Sequence, residues 1–208
     1  MAKKRSNVFS IIGILIIFMG VSFFIYENNK NQDFKKINED LIDNFFQEEI
    51  QENLTEELSE VEEVKKEAKP VNYNYMAVLE IPNINLKRGL VDITSKYNDV
   101  KYNLEILKGS NMPNILTSNL IIAGHNGNTN VSFFKSLDKL KTGDKIFLYY
   151  EGKKYEYSFE FSYEVNKNGS IEIIRDDSET AITLITCTKN VKDKQMVYVG
   201  YLSNSVAY

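Results

Sequence analysis

The chain has 208 residues, 43% of them hydrophobic and 26% charged, with a net charge of −4 at pH 7; that is ordinary globular composition, with room for one domain plus extensions. The acidic balance supplies no broad basic face and argues against a nucleic-acid partner. One Cys and one His exclude an intramolecular disulfide framework, a Cys-rich zinc site and a multi-histidine metal centre, so a cysteine–histidine mechanism has only Cys187 and His125 to use.

Residues 8–26 read VFSIIGILIIFMGVSFFIY, 19 residues without a charge, preceded by Lys3, Lys4 and Arg5. As a helix this run spans roughly 28 Å, close to a bilayer core. The basic flank places the N-terminus in the cytoplasm. The run ends in Ser-Phe-Phe-Ile-Tyr-Glu-Asn-Asn. No small-residue cleavage site follows, which favours an uncleaved anchor over a cleaved signal peptide. The expected order is a cytoplasmic tail at 1–7, a transmembrane helix at 8–26 and an extracellular remainder.

Residues 27–69 carry 14 acidic and six basic residues, a local net charge of −8. No Gly or Pro occurs from Asp33 to Ala68, and Phe34, Ile37, Leu41, Phe45, Ile50, Leu54, Leu58, Val61 and Val64 recur mostly at steps of three and four. That spacing predicts an amphipathic helix, ended by Pro70. Its simplest role is a stalk over 27–70. A coiled-coil dimer and a helix packed on the following domain are the alternatives.

From residue 71 to 208 the pattern turns mainly β. Tyr75–Ile84 and Leu86–Asp92 read as strands around a Pro-Asn turn, and Asn119–Ala123 as a short buried strand. Ser132–Leu140 sets Phe133, Phe134, Leu137 and Leu140 on one helical face. Lys145–Tyr150 and Lys154–Val165 predict a hairpin through Glu151-Gly152-Lys153. Its second strand alternates Tyr155, Tyr157, Phe159, Phe161 and Tyr163 with polar residues, the period of a half-buried strand. Ala181–Thr186 and Gln195–Leu202 complete an antiparallel or mixed barrel with little helix.

Cys187 ends the apolar run Thr183-Leu184-Ile185-Thr186, and His125 follows Ile121-Ile122-Ala123-Gly124. A cysteine nucleophile needs a partner that raises its thiolate fraction, and histidine is the usual one. Each residue alone reads equally well as something plainer. A lone Cys is commonly a small buried hydrophobe, and a His between Gly124 and Gly127 suits a surface turn.

Thr-Leu-Ile-Thr-Cys at 183–187 resembles the TLxTC signature of sortases, the transpeptidases that anchor proteins to Gram-positive cell walls. Ala-Gly-His-Asn at 123–126 and Leu79-Glu80-Ile81-Pro82 are similar to other parts of that family's barrel, and the resemblance runs over about residues 75–203. It implies a sortase-like closed β-barrel with short helices, behind a transmembrane helix and a helical stalk. It also implies a covalent mechanism. Cys187 would attack the carbonyl of a sorting motif, LPxTG-like by default, on a secreted protein. His125 would serve as acid and then base, and an amine of peptidoglycan precursor or pilin would take the acyl group. No metal or organic cofactor is implied. Calcium, which some members use to order the loop before the cysteine strand, stays open for Asn166–Thr180 with Glu172, Asp176, Asp177 and Glu179. That loop is short for class B, and no class C lid precedes the barrel.

The sequence departs from the family at one point. Sortases carry an Arg on the strand after the cysteine, and here Gln195 stands there with Lys194 beside it. The chain has three Arg in all, Arg5, Arg88 and Arg175. Gln195 can donate hydrogen bonds to an oxyanion without charge, whereas Lys194 brings charge without a fork. The first is expected to replace the Arg. A weak or inactive sortase-like membrane adaptor is the alternative. A papain-type protease would need its His after the Cys, and a redox protein would need a second Cys.

Overall fold

The computed structural model describes residues 2–55 and 74–208. The expected stalk beyond residue 55, with its stop at Pro70, lies outside the described residues. The chain divides into two compact units, residues 1–40 and 41–208.

The first unit is helix. One helix, α1, covers Ala2–Thr55; no Pro lies within it and no Gly follows Gly20. Apolar side chains from Ile12 to Tyr26 are exposed all round it, among them Leu15, Phe18 and Phe24. By length and composition this helix can cross a membrane.

The second unit begins with the end of α1. Ile42 and Phe45 are buried with Tyr75, Val78 and Val91. Phe46 meets Tyr149 and Tyr208 edge to face at 5.1 and 5.5 Å. The Gly152 N–H donates to Glu49 Oε1 at 3.1 Å, and the Tyr208 hydroxyl donates to Glu49 Oε2. Over these residues the helix is a packed element of the barrel domain.

Eight strands follow: β1 Ala77–Ile81, β2 Leu86–Leu90, β3 Glu105–Ile106, β4 Asn119–Ala123, β5 Lys145–Tyr150, β6 Lys153–Asn166, β7 Ala181–Cys187 and β8 Lys194–Ala207. They form one sheet in the order β2-β1-β5-β6-β8-β7-β4-β3, curled into a nearly closed barrel. All pairings are antiparallel except β4 with β7. Side chains stitch the seam between the edge strands. Asn103, just before β3, donates through Nδ2 to the Gly89 carbonyl of β2 at 2.9 Å. Its Oδ1 accepts from Arg88 Nε at 2.7 Å.

Two apolar clusters show how the faces are used. Leu79, Leu120, Ile122, Leu148, Tyr157, Ile182, Leu184 and Tyr198 fill the barrel interior. Ile185, Val197 and Val199 form a second cluster with Ile121, Phe161, Tyr163, Val165 and Ile171 on the opposite face. Strand β7 is therefore covered on both sides. This explains its uninterrupted apolar run, since a strand buried on both faces loses polar alternation.

The strands expected from the sequence are present. The two-residue β3 was not expected, and β8 runs on to Ala207. The helical spacing in Ser132–Leu140 yields turns and one 3-10 turn at Leu137–Lys139. Ser132 competes for the backbone there, its hydroxyl accepting from the Thr129 N–H at 3.2 Å. So short a segment cannot offset helix nucleation.

If the α1 end belongs to this domain's core, Phe45→Ala should lower stability by ~3 kcal/mol, the scale for deleting a buried Phe. Thermal unfolding of the detergent-solubilised chain measures it, and an unchanged midpoint would show the contact contributes nothing.

Candidate active site

The site is set by strand register. In the parallel pair, Asn119 faces Ala181 and Ala123 faces Ile185. Two residues further along each strand come His125 and Cys187. The ladder carries on past Ala123, with the Gly124 N–H donating to the Ile185 carbonyl at 3.0 Å. Side chains then take over from backbone. Thr186 Oγ1 donates to the Gly124 carbonyl at 2.7 Å, and Asn126 Nδ2 donates to the Cys187 carbonyl at 3.0 Å. The His125 carbonyl accepts from the Phe134 N–H at 3.0 Å. The histidine loop is thus held to the cysteine strand and to the barrel interior, because Phe134 is fully buried.

Cys187 is partly buried, as is His125. Directly across the antiparallel ladder from Cys187 stands Gln195, buried at 9% exposure. The Thr188 N–H donates to the Lys194 carbonyl at 3.0 Å, which makes Cys187 and Gln195 the adjacent non-hydrogen-bonded pair. Such pairs bring side chains closest together, with Cα atoms about 4.5 Å apart. On its other side Gln195 faces Val165 of β6. Val165, Gln195 and Cys187 thus form one row on one face of three strands.

Lys194 is one residue along, so its side chain leaves the other face of the strand. It pairs with Glu164 at 3.3 Å, whose other oxygen accepts from Thr188 Oγ1 at 3.2 Å. The register therefore sets Gln195 opposite Cys187, places His125 two residues beyond the paired end of β4, and turns Lys194 away from Cys187. Of the remaining arginines in this unit, Arg88 is buried at the seam, stacked 4.4 Å from the Phe133 ring centroid.

Arg175 ties down the loop between β6 and β7. It ion-pairs with Asp177 at 3.1 Å and donates to the carbonyls of Glu179 at 3.0 Å and of Thr117 at 3.3 Å. Within the same loop the Ser178 hydroxyl and N–H donate to Asp176 Oδ1 at 2.6 and 2.9 Å and hold that carboxyl below its usual range. Among the described residues no three His, Cys, Asp or Glu side chains are grouped to hold a metal ion. Within this loop a guanidinium engages Asp177.

Sequence reasoning missed two residues here. Asn126 follows His125 directly, and its side chain supplies the donor where the β4 backbone leaves the ladder; position alone could have suggested it. Lys167 lies 3.7 Å through Nζ from Cys187 Sγ, and no local pattern marks it.

A family model described as the Sortase domain matches residues 79–203. The chain is 32% identical over 133 residues to Sortase A of Bacillus anthracis, covering 58% of this chain and 62% of that protein. It is 30% identical over 120 residues to Sortase A of Listeria monocytogenes, covering 51% of this chain and 54% of that protein. It thus spans less than two thirds of the length of either relative. Among solved structures, the Streptococcus pneumoniae sortase C aligns with a TM-score of 0.61 at 18% identity, over 83% of this chain and all of that one; at that identity the likeness establishes the fold.

Gly124 tests how tightly the histidine loop is set. A Cβ there would lie 2.6 Å from Phe134 Cδ2 and 2.7 Å from Leu104 Cδ2. Gly124→Ala should therefore cost ~1–3 kcal/mol through overpacking. It should also shift the chain's one imidazole in the NMR spectrum. An unmoved His125 resonance would show that the loop is not braced by Phe134.

Proposed function

This chain belongs to the sortase family, and from that premise we propose that it is a membrane-anchored cysteine transpeptidase acting on secreted proteins that carry a C-terminal sorting motif. The observation that carries the reading is the in-register pairing of β4 with β7, which supports His125 and Cys187 working as a pair.

In the proposed reaction Cys187 Sγ gives its proton to His125 and forms a bond to the scissile carbonyl carbon. The carbonyl electron pair moves to oxygen. When it returns, the C–N bond breaks, and His125 hands its proton to the leaving amine. A thioester remains on Cys187. An amine of peptidoglycan precursor or a pilin then attacks that thioester while His125 takes up its proton, and the sulfur leaves. The Gln195 amide, opposite Cys187, donates to the carbonyl oxygen as negative charge develops, the role of an uncharged oxyanion donor.

An LPxTG-like motif is the default substrate. The pilin alternative gains support from the Streptococcus pneumoniae neighbour, whose description concerns pilin substrate specificity. The reaction as proposed needs no metal or organic cofactor, and Arg175 is the cation that ties down the loop before β7. A sortase-like adaptor is the second reading, and only Gln195 in place of Arg favours it.

Lys3, Lys4 and Arg5 ahead of the exposed apolar stretch of α1 support a cytoplasmic N-terminus and an extracellular barrel. The mature protein should then keep its N-terminus and stay with membranes through a high-salt wash; a sequenced start beyond Tyr26 would contradict this.

Peptide cleavage and amine transfer test the chemistry. Cys187→Ala should abolish both. His125→Ala should lower them by ~10²–10⁴, the contribution of general acid–base catalysis. Gln195→Ala should lower turnover by ~10²–10³, as loss of one oxyanion donor does, with the fold intact. Retention of more than about a tenth of the activity in His125→Ala would refute the acid–base role. A wild type that turns over no sorting peptide would favour the adaptor.

A further inference from the structure

We propose that Lys167 is the cation of this site, and that its ammonium stabilises the Cys187 sulfur in its anionic form before attack and again as it leaves. The role in transpeptidation rests on the sortase reading; the contact itself does not.

Three observations place it. Lys167 Nζ is 3.7 Å from Cys187 Sγ. The row described above runs Val165, Gln195, Cys187 across β6, β8 and β7. Lys167 comes two residues after Val165, so the alternation of an extended chain directs it to the same face. Its backbone is fixed too, the Lys167 N–H donating to the Asp193 carbonyl at 2.8 Å. That bond continues the β6–β8 ladder by one rung beyond Asn166 and Lys194.

Three other cations of the domain are occupied elsewhere. Arg88 is held by Asn103 and Phe133, Arg175 by Asp177 and loop carbonyls, and Lys194 by Glu164. Among the described residues, Lys167 has no carboxylate partner and is the one side-chain cation in hydrogen-bond reach of the sulfur. A thiolate is the nucleophilic form of cysteine, and an ammonium is a compact charge with three rotatable donors. It can follow the sulfur as the S–C bond forms. Before attack the thiol proton goes to His125; the anionic sulfur's lone pair then forms the S–C bond, and the carbonyl pair goes to oxygen. Lys167 keeps its three protons throughout. The labour is divided: Lys167 answers charge on sulfur, Gln195 answers charge on oxygen.

Charge-selective alkylation of the full chain reads this directly. Anionic iodoacetate and neutral iodoacetamide are compared as rates of Cys187 labelling at one pH. Lys167→Gln should lower the iodoacetate-to-iodoacetamide ratio about two- to fivefold, the range for an exposed charge pair. Lys167→Arg should keep the ratio, and Lys194→Gln should leave it unchanged. With sorting peptide, Lys167→Gln should lower kcat about tenfold with KM unchanged, less than loss of a buried oxyanion donor because water screens the ammonium. A ratio unmoved by Lys167→Gln, lost equally in Lys167→Arg, or lowered as much by Lys194→Gln overturns the proposal, as does an unchanged kcat. Alkylation needs no peptide, so a wild type that labels charge-selectively yet cleaves nothing counts against the sortase reading and leaves the Lys167–Cys187 contact standing.

Discussion

Parallel strands that share a register end side by side, and the pairing of β4 with β7 does this for the chain's one histidine and one cysteine. Among the described residues it is the sole parallel pairing, and it reaches across the sequence from Ala123 to Ile185. The hydrogen bonds beyond it, from Gly124, Thr186 and Asn126, show the two strand ends being held together after regular backbone pairing stops. A slip of one residue would turn Cys187 to the barrel interior, because side-chain direction alternates along a strand. The burial of β7 on both faces makes that slip costly. The same apolar packing that holds the strand therefore fixes the direction of the sulfur.

Antiparallel partners extend the same logic sideways. β8 sets Gln195 opposite Cys187, and β6 sets Val165 opposite Gln195. Neighbouring positions on the other face become an ordinary ion pair, Lys194 with Glu164. Polar chemistry thus sits at the rim of an apolar patch made by Ile185, Val197 and Val199. Arg175 anchors the loop before β7 to the Thr117 carbonyl, and Arg88 closes the seam through Asn103. Each arginine of the barrel domain has a structural post, which leaves the charge near the sulfur to a lysine.

Much of this was legible in the sequence because it rests on local patterns. The β-branched run at 181–187 and the alternating aromatics at 155–163 specify strands through their own periodicity. Cys187 and His125 were legible as strand-end residues and by their flanking motifs. Gln195 could be found because it precedes the Met196–Val199 run. Other features depend on partners distant in sequence. Nothing near Asn103 marks it as the bridge between β2 and β3, and a two-residue β3 is too short to show a period. Lys167 resembles any surface lysine until β6, β8 and β7 are laid in register. The apolar spacing in Ser132–Leu140 misled because Phe134 and Leu137 are buried from a chain of turns, which can satisfy the same spacing as a helix.

The central claim is that Cys187 carries the acyl group in covalent form. It is tested most directly by incubating the full chain in detergent with a panel of LPxTG-like sorting peptides, without an amine acceptor, and measuring intact and fragment masses. The account predicts a mass increase equal to the acyl part of the peptide, located on the fragment containing Cys187 and removed by added amine. Peptide cleavage with no adduct at Cys187, or an adduct on another residue, would contradict it.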